Sequence, residues 1–231
     1  NGTIIEPIIA GENTAYGERA LETNAVGPIS GLRNTFVGYE SGMDNRDGSD
    51  NTAIGANTLE LNFQGQHNTA VGSDALKTNY NGNFNTAVGS GALDQSTGGG
   101  NTSVGYNTLS NTSSGNNNTA VGSSALSFNT GGANTAVGSS ALQVNKTGNF
   151  NSAFGNTALS QNSSGDKNVA VGYNALRLNQ TGDNNVAIGH ASLYSSTNVN
   201  NLVAIGDSSL FNNTIGTFNV AVGSESLYSN T

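Results

Sequence analysis

The two histidines are the residues best suited to acid–base chemistry, but their separation in the sequence argues against a shared site. His67 and His190 lie far apart, and the chain contains no cysteine. Acid–base catalysis needs partner groups within hydrogen-bond reach. The many serines stand at repeated turn positions, so a Ser-His-Asp arrangement has no local support. We therefore expect surface histidines, no catalytic residues, no cofactor and no enzymatic activity.

Three aspartates in the segment 43–50 form the densest carboxylate cluster, at Asp44, Asp47 and Asp50. Calcium prefers clustered oxygen ligands, but this spacing does not follow the EF-hand pattern and Arg46 stands among the acids. A solvated turn is the favoured interpretation, and these three residues are weak metal-site candidates.

Among the Asn-x-Ser/Thr triplets of the chain, four that stand near one phase of the sequence could carry glycans in a eukaryotic secretory pathway. They begin at Asn111, Asn145, Asn162 and Asn179. Asparagine and serine are also common turn residues. We favour the turn interpretation.

The composition excludes several classes of protein. Only 34% of the 231 residues are hydrophobic, and the formal net charge is −8 with only 7 Lys and Arg. No basic patch is therefore present for nucleic acid. Because no apolar run approaches 18 residues, this segment is not expected to insert into a membrane. The first residues lack a signal-peptide pattern, and we expect a fragment of a longer fibrous protein.

A short motif of the form Asn-Thr-Ala-Val-Gly organises the whole chain. It recurs thirteen times, and nine of the twelve intervals between its glycines are 17 residues, two are 16 and one is 21. Such a short fixed period is typical of solenoids and fibres. The core glycines are Gly17, Gly38, Gly55, Gly72, Gly89, Gly105, Gly122, Gly138, Gly155, Gly172, Gly189, Gly206 and Gly223.

Two adjacent apolar positions before each core glycine predict a strand with both faces covered. The last position is β-branched or aromatic, and the one before it is usually alanine. Because neighbouring strand residues point to opposite faces, we expect the larger residue to fill the coil and the alanine to pack against another chain. The predicted core comprises Val71, Val121 and Val171, and the predicted oligomer interface comprises Ala70, Ala120 and Ala170.

Leucine follows the core glycine by four residues in twelve repeats, and a small residue precedes it. This pair predicts a second short strand with Leu76, Leu126 and Leu176 in the core. A further glycine usually follows the core glycine by ten residues, which suggests a corner with positive φ. Asparagine opens the motif in twelve repeats, and in-register stacking predicts a structural amide ladder through Asn51, Asn68, Asn85, Asn118, Asn151 and Asn168.

These features together predict an all-β protein, a parallel β-solenoid of about 13 coils of 17 residues. We expect a lead-in segment at residues 1–12 and a single repeat domain at residues 13–231. A lone 17-residue coil holds few large apolar residues, so we also expect self-association, most simply as a homotrimer.

The strings Asn118-Thr-Ala-Val-Gly-Ser-Ser-Ala-Leu126 and Asn185-Val-Ala-Ile-Gly189 resemble the head repeats of trimeric autotransporter adhesins of the YadA type. They resemble still more closely the repeat regions of phage tail fibres and related bacterial surface proteins. The resemblance covers about residues 13–231. It implies a left-handed β-roll, a trimer, an extracellular location at a cell surface or virion fibre, and attachment to a receptor or glycan, as in virulence-associated adhesion.

Three functions follow as expectations. The first is a structural and adhesive fibre or head module. The second is an ice-binding solenoid, suggested by a regular threonine column from Thr14 to Thr135, although Val replaces Thr in the last four repeats. The third is a tail-fibre or spike segment with a carbohydrate-binding or carbohydrate-degrading role, and degradation would need paired carboxylates within about 5–10 Å.

Overall fold

The computed structural model describes residues 8–10, 12–22, 30–111 and 114–230. It divides the chain into two compact units, Asn1–Ser114 and Gly115–Thr231. Each unit is a parallel β-solenoid, and the described residues contain no helix. The predicted all-β class and parallel solenoid are thus confirmed, whereas a single repeat domain over 13–231 stays a prediction.

The first unit contains one antiparallel strand followed by six parallel ones. Its strands are β1 (Ile8–Ala10), β2 (Asn13–Tyr16), β3 (Thr35–Val37), β4 (Thr52–Ile54), β5 (Thr69–Val71), β6 (Thr86–Val88) and β7 (Thr102–Val104). Strand β1 pairs antiparallel with β2, and β2 to β7 pair in parallel in chain order. The predicted lead-in lies largely outside the described residues, and its described part includes β1.

The second unit repeats this parallel sheet and adds a small second sheet. Its strands are β8 (Thr119–Val121), β9 (Phe128–Asn129), β10 (Thr135–Val137), β11 (Val144–Asn145), β12 (Ser152–Phe154), β13 (Val169–Val171), β14 (Val186–Ile188), β15 (Val203–Ile205) and β16 (Val220–Val222). Strands β8, β10 and β12 to β16 pair in parallel. Strands β9 and β11 pair separately, also in parallel.

The register places equivalent residues of neighbouring coils directly opposite one another. Thr52 pairs with Thr69 and Ala53 with Ala70. Each position of the strand therefore has the same environment in every coil, and equivalent residues of neighbouring coils are about 4.8 Å apart. A sequence repeat is in this way converted into columns of like side chains.

The alanines, and not the valines, fill the coil. Ala70, Ala120 and Ala170 are fully buried within their own chain, whereas Val71, Val121 and Val171 are only half-buried on the opposite face. The predictions of a valine core and an alanine interface are therefore wrong.

The narrowness of the coil explains this reversal. The predicted core leucines Leu76, Leu126 and Leu176 are fully buried, and they enter the interior from the turn that follows the core glycine. Opposite a leucine, the sheet has room for little more than a methyl group. The larger residue of each strand therefore points outwards, because alternation along the strand leaves it only that direction.

The predicted second strand at the leucine is also wrong, because this segment is a turn. Leu76, Leu126 and Leu176 have φ of 50°, 51° and 51°, in the left-handed region that non-glycine residues seldom adopt. Inter-coil hydrogen bonds hold the turn, as when the Leu76 amide donates to the Ala92 carbonyl at 2.9 Å. The surrounding stack thus offsets the local backbone strain.

The corner glycines serve close packing and not positive φ. Gly65 and Gly148 lie outside the set of glycines with positive φ, whereas the core glycine Gly72 has a φ of 129°. A Cβ on Gly148 would lie 2.4 Å from the Gly165 carbonyl oxygen and 2.5 Å from the Asn145 Oδ1. At Gly148 the corner therefore has no space for a side chain, whereas Val199 occupies the equivalent position in a later coil.

The asparagines of the motif form the ladder that the sequence predicts. The Oδ1 of Asn51 accepts a hydrogen bond from the Asn68 amide at 2.9 Å, and its Nδ2 donates to the Gly65 carbonyl at 2.8 Å. Asn118 and Asn151 make equivalent bonds. All six predicted members are buried, namely Asn51, Asn68, Asn85, Asn118, Asn151 and Asn168.

A second asparagine ladder, seven residues past the core glycine, was missed by the sequence analysis. In the second unit the Nδ2 of Asn145 donates to Asn129 Oδ1 at 2.6 Å, and Asn162 and Asn179 continue the chain at 2.6 and 2.7 Å. In the first unit Asn45, Asn62 and Asn79 do the same. Buried polar groups are stable only when they are paired, so both ladders stabilise the stacking of coils.

Candidate functional site

The outer side of the main sheet is a regular surface in each unit. It consists of two columns, three residues and one residue before each core glycine, and we call it the outer sheet face. Both columns point outwards because asparagine and alanine occupy the inward positions of the same strands. The alternation that places alanine inside therefore places threonine and valine outside.

The two columns differ in chemistry between the units. In the first unit the column three residues before the glycine is threonine throughout, from Thr14 to Thr102, beside Val, Ile or Tyr. In the second unit four consecutive strands carry apolar residues in both columns, as in Val186 with Ile188 and Val203 with Ile205. Ile188 and Ile205 remain 38% and 37% exposed.

This apolar surface is suited to contact and not to chemistry. Neither column contains a titratable group apart from Tyr16. Contiguous exposed apolar surface on a protein marks a site of interaction with another molecule. The outer sheet face is therefore the candidate functional site.

A charged column lies five residues past the core glycine in the first unit. Glu60, Lys77 and Asp94 occupy successive coils, and Lys77 Nζ lies 3.6 Å from Glu60 Oε2. Asp74 adds a further carboxylate 3.3 Å from the same ammonium group. Lys77 thus stands between Glu60 and Asp94 in the column. This arrangement disfavours the use of the two carboxylates as a general acid and a general base that cleave one glycosidic bond.

The surroundings of this column shift three pKa values. Burial raises the pKa of Asp94, and the negative charge of Asp74 adds to the effect. Burial also acts on Asp74, but hydrogen bonds from Asn57, Lys77 and Ser73 outweigh it and lower that pKa. For Lys77 burial opposes the charged form, and the hydrogen bond to Asp74 with nearby carboxylates raises the pKa overall.

The three aspartates proposed as weak metal candidates have other contacts. Asp50 accepts two hydrogen bonds from Arg33, at 2.6 and 2.7 Å, and these hold its pKa below the usual value. Asp47 accepts a hydrogen bond from Ser30, and Asp44 is almost buried. Among the described residues, no group of three or more His, Cys, Asp or Glu side chains could hold a metal ion.

The histidines belong to different units, and each stacks on an aromatic ring. His67 lies 5.0 Å from the Phe84 ring, and His190 lies 5.6 Å from the Tyr173 ring. His190 Nδ1 is also 2.8 Å from an Asp207 carboxylate oxygen. Both histidines are exposed, as the sequence predicts.

Three of the four Asn-x-Ser/Thr triplets considered as glycan sites have their asparagine side chains inside the coil. Asn145, Asn162 and Asn179 belong to the second asparagine ladder and are fully buried. A glycan on these amides would displace the ladder bonds, whereas Asn111 is exposed. The turn interpretation therefore missed their inward orientation.

Comparison with known proteins yields no relationship. No family model matches the chain, and no curated protein or solved structure is significantly similar to it. The described ranges contain no helix that is long and apolar enough to cross a membrane.

Proposed function

We propose that the protein is a structural and adhesive module of an extracellular fibre or surface head, which self-associates through its outer sheet face. The observation that carries the proposal is the set of Val and Ile side chains that face outwards on strands β13 to β16, where they are half-buried or exposed. Burial of apolar surface stabilises association by roughly 25 cal/mol per Å². Regular columns favour such burial, because one good contact is repeated in every coil.

A homotrimer is the assembly we propose. Three copies placed around a common axis cover every outer sheet face, which is the closed symmetry that soluble oligomers prefer. The resemblance to trimeric adhesin heads and tail-fibre repeats supports the same number of chains and a left-handed coil. The interface proposed here comprises the valine and isoleucine columns in place of the alanines.

Light scattering coupled to size-exclusion chromatography tests the assembly. We expect the mass of three chains for the wild type, and a lower mass for the double variant Ile188→Glu/Ile205→Glu. Phe150→Glu is the matched control, because Phe150 is 62% exposed but lies outside the outer sheet face. A monomeric wild type, or an equal effect of the control, would contradict the proposal.

An ice-binding function is the second candidate, and one observation favours it. The threonine column of the first unit faces outwards in register, as Thr52 with Thr69 and Thr69 with Thr86. The adjacent Val and Ile residues point in the same direction and are not buried within the coil, so they do not exclude this role. Thermal hysteresis in the wild type and its loss in Thr69→Lys/Thr86→Lys would support this candidate over adhesion.

A further inference from the structure

A polar groove in the second unit lies outside the outer sheet face. It encloses about 470 Å³, within the range of roughly 300–1,000 Å³ typical of small-ligand sites. The side chains that matter here come from three successive coils, and they stand five and eight residues past the core glycine. They are Gln143, Lys146, Ser160, Ser163, Arg177 and Gln180.

The groove exists because the middle coil carries short side chains at both positions. Ser160 stands in the column between Gln143 and Arg177, and Ser163 stands in the column between Lys146 and Gln180. The two flanking coils are separated by two coil spacings, about 10 Å. The two serines therefore form the floor, and the longer side chains form two walls.

The charge of the groove is opposite to that of the chain. Its lining contains Lys146 and Arg177 but no carboxylate, although the chain has a net charge of −8. Neither cation is ion-paired with a carboxylate in the part of the chain that the structure describes. Two unpaired cations on facing walls favour a small anion between them.

Arg177 is held in place and retains donor capacity. Its Nη1 donates to the Tyr194 hydroxyl at 2.9 Å, and its guanidinium carbon lies 5.8 Å from the centre of the Tyr194 ring. A guanidinium group fixed on one side can bind a carboxylate with its remaining N–H groups.

We infer that this groove binds an acidic sugar unit of a glycan, such as a uronic acid or a sialic acid. Lys146 and Arg177 would contact the carboxylate, and the amides and hydroxyls of Gln143, Ser163 and Gln180 would contact the sugar hydroxyls. Amide and hydroxyl groups form such bonds with neutral oxygen atoms. Two cations are too few for a nucleic acid backbone in a chain of this charge.

This inference rests on the attachment role proposed above, but it uses none of the interface residues. The groove is formed by the coil segment that carries the short strand β11 in the coil of Gln143. None of its lining residues belongs to the two columns of the outer sheet face, so we expect it to stay open when copies associate through that face. Sugar binding and self-association can therefore fail independently, and the two results remain distinguishable.

Saturation-transfer NMR on the full chain tests the inference with defined probes. The probes are glucuronate, galacturonate and N-acetylneuraminate, with methyl glucoside as the neutral sugar and acetate and sulfate as simple anions. We expect saturation transfer to at least one acidic sugar, at least fivefold weaker transfer to methyl glucoside, and little competition from acetate or sulfate at equal concentration.

Variants separate the groove from general surface charge. Ser160→Gln should abolish the signal by filling the floor, and it should fold because Gln143 occupies the equivalent position one coil earlier. Arg177→Gln should reduce the signal at least fivefold. Lys167→Gln removes an exposed cation outside the lining and should leave the signal unchanged.

Three results would overturn the inference. They are no transfer to any acidic sugar, an unchanged signal in Ser160→Gln, or complete competition by sulfate, which would indicate a simple anion site. Light scattering on the same samples shows whether any loss of signal accompanies a change of assembly.

Discussion

The Phe36 ring fills the space beside Gly42 that a leucine occupies in other coils. A Cβ on Gly42 would lie 2.4 Å from the Cδ1 of Phe36, and Phe36 is fully buried at a position that is alanine in most repeats. The backbone of Gly42 has a φ of 62°, in the same region as the leucines of other coils. In this coil the large side chain therefore comes from the strand and not from the turn, and the interior remains filled.

The exchange predicts strong coupling between the two positions. Phe36→Ala should leave a cavity and destabilise the first unit by about 3–5 kcal/mol, and Gly42→Leu should destabilise it by overpacking. The double variant Phe36→Ala/Gly42→Leu restores the regular pair and should be within about 1.5 kcal/mol of the wild type. Urea denaturation of the four proteins gives the coupling energy, and additive effects would contradict the prediction.

The second asparagine ladder should be essential to stability. Asn162→Ala removes the hydrogen bond that the buried Asn145 Oδ1 accepts, and it removes one of the hydrogen bonds made by the Asn179 side-chain amide and by the Gly165 carbonyl. We therefore expect a loss of about 1–3 kcal/mol in the free energy of unfolding. Asn162→Ser should cost less, because serine stands at this position in the coils of Ser96 and Ser196.

Asn156→Ala is the matched control in the same coil, because that side chain is exposed. It should change stability by less than about 0.5 kcal/mol. Urea denaturation measures all three variants. Equal losses at positions 156 and 162 would show that the ladder bonds contribute nothing specific.

The sequence was sufficient for the period, the parallel stacking and the first asparagine ladder, but not for the orientation of the strand. Alternation requires one of Ala70 and Val71 to point inwards, and hydrophobicity alone favours the valine. The outcome depends on the space left by Leu76, a contact between two segments that the repeat pattern does not specify. The second ladder was missed for a related reason, because a buried asparagine and a turn asparagine look alike in sequence.

The carboxylates of Asp94 and Asp50 should affect stability with opposite pH dependence. Burial raises the pKa of Asp94, so the folded state binds its proton more tightly than the unfolded state does. Its contribution therefore decreases stability as the pH rises from the unfolded value, near 3.8, through the folded value. Arg33 lowers the pKa of Asp50, and that contribution is present above the unfolded value and is lost as the pH falls through the folded value.

Melting temperatures between pH 2 and pH 7 measure this difference. Asp94→Asn should have a higher melting temperature than the wild type at pH 7, and this difference should disappear at low pH. The difference should be a few degrees at most, because the group is partly solvated. Asp50→Asn should reduce the gain in stability between low and neutral pH. A shift of the same sign in both variants would show that their surroundings do not govern the titration.

Substitutions at two neighbouring positions of one strand should affect folding and assembly separately. Ala70→Val adds two methyl groups to a filled interior and should destabilise the coil by about 1–3 kcal/mol at every protein concentration. Val71→Thr keeps the shape of an outward side chain, so it should cost less than about 0.5 kcal/mol in the isolated chain. It should, however, weaken association, because a hydroxyl replaces apolar surface in the proposed interface.

The concentration dependence of thermal unfolding distinguishes the two effects, because assembly stabilises the folded state by mass action. Ala70→Val should lower the melting temperature equally at high and low concentration, whereas Val71→Thr should lower it mainly at high concentration. Should Val71→Thr behave like Ala70→Val, the valine would contribute to folding and not to assembly. The apolar column would then have to be assigned to the stability of the single chain, and the proposed trimer would lose its structural basis.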